Sequence, residues 1–260
     1  MDTINRFLTR FQLPVYVTLS ILWTLLCCWG TNVIGFWGVP LAYCGIFLIA
    51  GFMGSRWVTL LKKPEKLLDD TCDPEPFLEE LRRQKNYANP LAIRYNRTAL
   101  EASALVILGQ PEEAYGLLQP LQEKVFKHKM IGTQLCYCTA MVGVCRALDR
   151  RYEMENWHSK KMELMGKLKN KRLKQQTEAS MPIYMARYYA YRGEYDRSME
   201  ALRAVKPEKM YDRVHVAMLC AQNDLAKGET ERARAALRFV AENGNKLYIA
   251  AEARRLLETL

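Results

Sequence analysis

Forty-five consecutive residues, Phe11 to Ser55, contain no Asp, Glu, Lys or Arg, in a chain of which 25% is charged. A helix rises ~1.5 Å per residue and a bilayer's hydrocarbon core is ~30 Å thick, so the run has the length of two membrane spans. The expected division is a span at 13–29, a tight connection at Gly30-Thr31-Asn32, and a second span at 33–53. Both halves are apolar on every side, as lipid-facing helices must be. Tyr16 and Trp57 fall towards one boundary and Trp29 and Trp37 towards the other, the places of the aromatic belts. Pro40 stands in the first turns of the second span, where a missing donor costs least.

Charge around the run sets the expected orientation. Arg6 and Arg10 precede it, Arg56, Lys62 and Lys63 follow it, and the connection has none. The positive-inside rule then puts both termini and the rest of the chain on the cytoplasmic side, in a bacterial plasma membrane. A cleaved signal peptide fits less well, because Leu25-Leu26-Cys27-Cys28-Trp29 offers no small-residue cleavage site. A buried hairpin in a water-soluble core fits less well too, since the other ~190 residues are too few to cover so much apolar chain.

Residues 1–60 carry three arginines against Asp2, so most of the net charge of +10 lies beyond them. A joint is expected at 61–76, where Pro64, Pro74 and Pro76 interrupt helical pattern, with a domain at 77–260. The eight cysteines make no C-x-x-C pair, and Cys136 and Cys138 point to nearly opposite sides of a helix; reduced thiols are the expectation.

The rest of the chain reads as all-α. Alternating strand patterns and Asn-Gly or Asp-Gly hairpins are absent, while Ala233, Leu237, Val240 and Ala241 make one apolar stripe and Phe77, Leu78 and Leu81 begin another. A spacing then recurs: a small residue, a Gly seven positions on, and a small residue five beyond that. Ala102/Gly109/Ala114, Ala186/Gly193/Ser198 and Ala221/Gly228/Ala233 follow it, and a degenerate copy fits Gly143/Arg150/Glu155. Small residues let antiparallel helices approach closely, and Gly supplies the positive φ that ends the first of them.

Over residues 92–243 this pattern resembles the tetratricopeptide repeat family, whose helix pairs stack into an α-solenoid. The family's large aromatic early in the first helix is missing, as Thr98, Thr139, Pro182 and Ala217 stand there. Lys246–Leu260 reads as a terminal capping helix. The resemblance implies an interaction module whose concave groove is lined by the first helix of each pair. Its groove positions fall here on Asn96, Ser103, Tyr137, Val144, Ile183, Arg187, Tyr191, His215, Met218 and Gln222. Members that grip a terminal carboxylate use Lys and Asn where this chain has Ala99 and Ser103, so an apolar or helical partner segment is the better expectation.

A basic run, KLKNKRLK at Lys167–Lys174, offers a second surface. Lys167, Lys169, Lys171, Arg172 and Lys174 are candidates for anionic-lipid contact, against the plainer reading of a solvated helix face. Nucleic acid is disfavoured, because stacking aromatics are not interleaved with these bases. Catalysis finds no motif: H-E-x-x-H, G-x-S-x-G, a P-loop and a dinucleotide fingerprint are all absent, and His128, His158 and His215 are scattered. No catalytic residue, metal or cofactor is expected. The sequence therefore points to a membrane-anchored scaffold that presents a repeat groove to protein partners at the cytoplasmic face. The alternative is an accessory subunit of a membrane enzyme or transporter, contacting it through the spans, where Gly38/Ala42 and Ala50/Gly54 permit close packing.

Overall fold

The computed structural model describes residues 17–25, 43–45, 47, 48, 51, 64–85, 91–127 and 130–260. The chain divides into two compact units, 1–64 with 83–89, and 65–82 with 90–260. Among the described residues every regular element is helical.

In the first unit residues 17–25 are helical, and the Trp23 indole lies where a side chain at Gly45 would stand. Ile21, Leu22, Leu25, Tyr43, Phe47 and Leu48 are exposed. Among the described residues, no helix is long and apolar enough to cross a membrane. This corrects the expected transmembrane hairpin, and with it the integral-membrane location and cytoplasmic orientation that rested on the spans. The other residues of the expected spans at 13–29 and 33–53 lie outside the described residues.

In the second unit the expected joint at 61–76 carries a helix, α1 (64–71), ended by Cys72 at φ 50° with its N–H bonded to the Leu68 carbonyl. Helix α2 (Pro74–Lys85) follows, and its Phe77, Leu78 and Leu81 are buried. Four helix pairs come next: α3 (Leu91–Ile107) with α4 (Pro111–Leu118), then a 3₁₀ turn and α5 (Gln122–Lys127); α6 (Ile131–Ala147) with α7 (Arg151–Gly166); α8 (Lys171–Tyr191) with α9 (Tyr195–Arg203); and α10 (Met210–Ala226) with α11 (Thr230–Asn243). Helix α12 (Tyr248–Thr259) closes the chain.

One local motif makes all four pairs. After α3 the chain turns through Gly109 at φ 80°; the Gln110 N–H reaches the Leu105 carbonyl at 2.8 Å and the Gly109 N–H the Val106 carbonyl at 3.0 Å. This is a Schellman cap, with the left-handed residue just past the helix. The same two bonds recur as Arg150 to Cys145 with Asp149 to Arg146, Glu194 to Tyr189 with Gly193 to Ala190, and Glu229 to Asp224 with Gly228 to Leu225. In each case the next carbonyl starts the second helix, accepting from the N–H of Ala114, Met154, Ser198 or Ala233. Those four residues are fully buried, as are Ala102, Ala186 and Ala221 on the first helices. Apart from the pair that carries Met154, absence of side-chain bulk at these crossings is what lets the backbones approach.

The degenerate copy sits one residue earlier than the spacing suggested. Asp149, not Arg150, takes the positive φ, at 54°, so the triple is Val142/Asp149/Met154. Val142 and Met154 are both buried, so larger side chains occupy this crossing. Glu155, expected there, instead accepts from the hydroxyl of Tyr188 and pairs with Arg192 at 2.9 Å. Helix α7 meets α8 through aromatic stacking: the His158 ring lies 3.8 Å from that of Tyr188 at an 11° tilt. Lys161 Nζ stands 3.2 Å over the centre of the Tyr184 ring. The tyrosines of α8 thus pack between pairs, and the long α8 that carries them lengthens the repeat step.

The array then closes on itself. Asn245 Nδ2 donates to the Thr71 carbonyl at 2.9 Å, Lys246 pairs with Asp73 and Glu75, and Lys209 pairs with Asp69 at 2.6 Å. Leu68, Cys72 and Phe77 share one core with Leu237, Leu247 and Ala253. Each fully buried leucine contributes ~1.5–3 kcal/mol, so this apolar seam outweighs the exposed ion pairs beside it.

Candidate functional site

Closure leaves a partly enclosed cavity in the second unit, made of two compartments. One, of about 600 Å³, is bounded by α3, α6, α7 and α8; the other, of about 580 Å³, by α3, α6, α8, α10 and α12. Ser103, Thr139, Gly143, Arg146 and Arg187 border both and mark their junction. The first helix of every pair contributes, joined by Met154 and Lys161 of α7 and by Tyr195 of α9.

The compartments are mostly apolar away from the junction, although Glu65 and Lys161 stand in the lining of the first and Gln222 and Glu252 in that of the second. Leu100, Leu135, Leu173 and Ile183 line the first, and Val106, Ile107, Met218 and Ile249 the second. Polar groups converge between them. Arg146 and Arg187 are half-buried, and among the described residues neither makes an ion pair. Burial, and after it the neighbouring Arg187, lowers the Arg146 guanidinium to about 10, which leaves it charged at neutral pH. Burial holds His215 well below its ordinary value, with Arg187 and Arg146 pushing the same way, so its ring is neutral at pH 7. Its Nε2 is buried and has no hydrogen-bond partner.

Tyr211, beside His215 at a ring separation of 4.5 Å, is raised first by burial, while a hydrogen bond with Arg187 opposes the rise. Glu252 of α12 is raised by burial against the pull of Arg255, and it is hydrogen-bonded to Gln222. On the wall of the first compartment, burial lowers Lys161 to about 8, with Cys138 and Cys136 acting against the fall.

Of the residues expected in the groove, Ser103, Ile183, Arg187, Tyr191, His215, Met218 and Gln222 line the cavity. Tyr137 and Val144 do not: both are fully buried, Tyr137 with its hydroxyl on the Leu118 carbonyl at 3.1 Å. The one-residue register of the second pair explains both misses. Moved back by one, the positions become Cys136 and Gly143, and both line the cavity. Asn96 borders neither compartment, and its Oδ1 is buried without a partner. Sequence reasoning missed Arg146, Tyr211 and Glu252. Arg146 stands four residues after Val142, a position the carried-over groove spacing does not include, and Glu252 carries no local signal, since only chain closure brings α12 here.

The basic run does not lie on one helix. Lys167 follows α7, Lys169 lies in the turn, and Lys171, Arg172 and Lys174 open α8, whose start is capped by Asn170 accepting from the Leu173 N–H at 3.0 Å. All five bases are exposed; Lys167 pairs with Glu163, and Lys174 with Glu178 at 3.9 Å. Among the described residues no group of His, Cys, Asp and Glu could hold a metal ion.

No protein-family model matches the chain, and neither a curated protein nor a solved structure matches it.

Proposed function

We propose that the second unit, residues 65–82 with 90–260, forms a protein-interaction module of the tetratricopeptide kind, which receives a segment of a partner protein in the concave cavity. The supporting observation is the lining itself. The first helices of four successive pairs, each ended by the same cap, present Ser103, Gly143, Arg187 and Gln222 to one continuous cavity. A concave, mostly apolar site with a few convergent polar groups is the usual form of a binding site. An extended or helical segment suits it better than a flat protein face does.

Site-specific photo-crosslinking in cells tests the reading. A photoreactive residue at Ile183 or Gln222, inside the cavity, is expected to yield discrete protein adducts. The same residue at Ala235, exposed on α11, is expected to yield none of them. Adducts that are absent from the cavity positions, or identical at all three, would sink the proposal.

A further inference from the structure

We propose that the cavity recognises an acidic side chain flanked on both sides by apolar ones, with the carboxylate held between Arg146 and Arg187. This rests on the interaction reading above and names the chemistry of the segment it would accept.

The order of groups along the cavity carries the argument. The two arginines stand at the junction of the compartments, and apolar walls extend from it in both directions, through Leu135 and Ile183 on one side and Ile107 and Met218 on the other. A ligand filling both compartments therefore meets apolar surface, two cations, and apolar surface again. An isolated small anion would occupy the junction and leave both compartments unfilled. A peptide segment with a central Asp or Glu satisfies all three regions.

The electrostatics point the same way. Two neighbouring guanidinium groups, the charge of Arg187 adding to the burial that lowers Arg146, gain most from a shared carboxylate, since among the described residues neither makes an ion pair. Glu252, an acid on the wall of the second compartment, is hydrogen-bonded to Gln222 and feels Arg146 only as the smallest of its electrostatic influences, without an ion pair. The unpartnered Nε2 of His215 supplies an independent sign of a missing partner in the second compartment, where the ring feels the charges of both Arg187 and Arg146. In the neutral ring it can donate to the second carboxylate oxygen, provided that Nε2 carries the proton.

A library of random dodecapeptides displayed on phage, selected against the full chain, is the probe. The recovered clones are expected to share an Asp or Glu with apolar residues on both sides. A synthetic consensus peptide should bind roughly tenfold or more weakly when its acid is replaced by the amide. Arg146→Gln and Arg187→Gln should each remove that preference while unchanged circular dichroism and melting temperature report an intact fold.

A consensus without an acid, or an acid preference that survives both substitutions, would overturn the assignment. So would displacement of the peptide by micromolar inorganic phosphate, which would indicate a site for a free anion. Cavity crosslinks in cells without any acid preference would overturn this inference alone and leave the interaction reading standing.

Discussion

The Tyr248 ring lies against the backbone of Gly109: a Cβ at residue 109 would stand 2.6 Å from Tyr248 Cδ2. The contact ties the turn of the first helix pair to α12, the last helix of the chain, and it forms only because Gly109 has no side chain. Its φ of 80° already requires glycine for local reasons, so one residue serves the cap and the closure together.

Alanine substitution should separate those two roles. Gly193 and Gly228 have a φ of 78° and open space where a side chain would go, so each change should cost only the left-handed strain, ~1–2 kcal/mol. Gly109→Ala adds overpacking against Tyr248, worth ~1–3 kcal/mol more. Urea denaturation of the three variants checks the ranking; equal losses would mean that Tyr248 moves aside freely.

The third and fourth pairs are joined by a buried polar relay. Asn223 Nδ2 donates to Ser198 Oγ at 3.0 Å, and Ser198 Oγ donates to the Ala186 carbonyl at 2.9 Å, with both residues fully buried. Ser198→Ala matches the alanines at 114 and 233 and leaves almost no void, yet it strands the Asn223 donor. The expected loss is ~1–3 kcal/mol. A double-mutant cycle with Asn223→Ala should show non-additivity, since either change breaks the same bond. Additive losses would show the relay to be energetically idle.

Acid should weaken the fold through its histidines. Burial holds His215 well below 6.5, and His158 is lowered for the same first reason. Both rings then stay neutral in the folded state while the unfolded chain takes up protons near 6.5. Stability from this source is complete above about pH 6.5 and is lost as pH falls towards the depressed folded values. Melting temperature should therefore drop between pH 7.5 and 5.5, and the double variant His158→Phe/His215→Phe should flatten that dependence. An unchanged slope in the variant would assign the effect to other groups.

Much of the second unit is legible from residue types because its defining chemistry is local. A Schellman cap spans six residues, so Gly109, Gly193 and Gly228 announce it, and the small residues seven before and five after mark the helix crossing. The second pair was harder to read because Asp149 adopts the same conformation without being glycine, and Val142 and Met154 replace small residues at the crossing. That one-residue ambiguity sent Tyr137 and Val144 to the groove when they belong to the core. The expected membrane spans failed for a different reason. Apolar composition measures the preference of a segment for oil, whereas crossing a bilayer requires a long apolar helix, and among the described residues no helix is long and apolar enough.

For the first, third and fourth pairs the sequence by itself determined the turn and the crossing, since caps and small-residue contacts act within a dozen neighbouring residues. Only the tertiary structure decided that the array closes, through Asn245 on Thr71 and Tyr248 on Gly109. It also brings Arg146, Arg187 and His215 together from three different helices. Such contacts join residues far apart in the chain, and they follow from small rotations summed over successive pairs, which no single stretch of residues encodes.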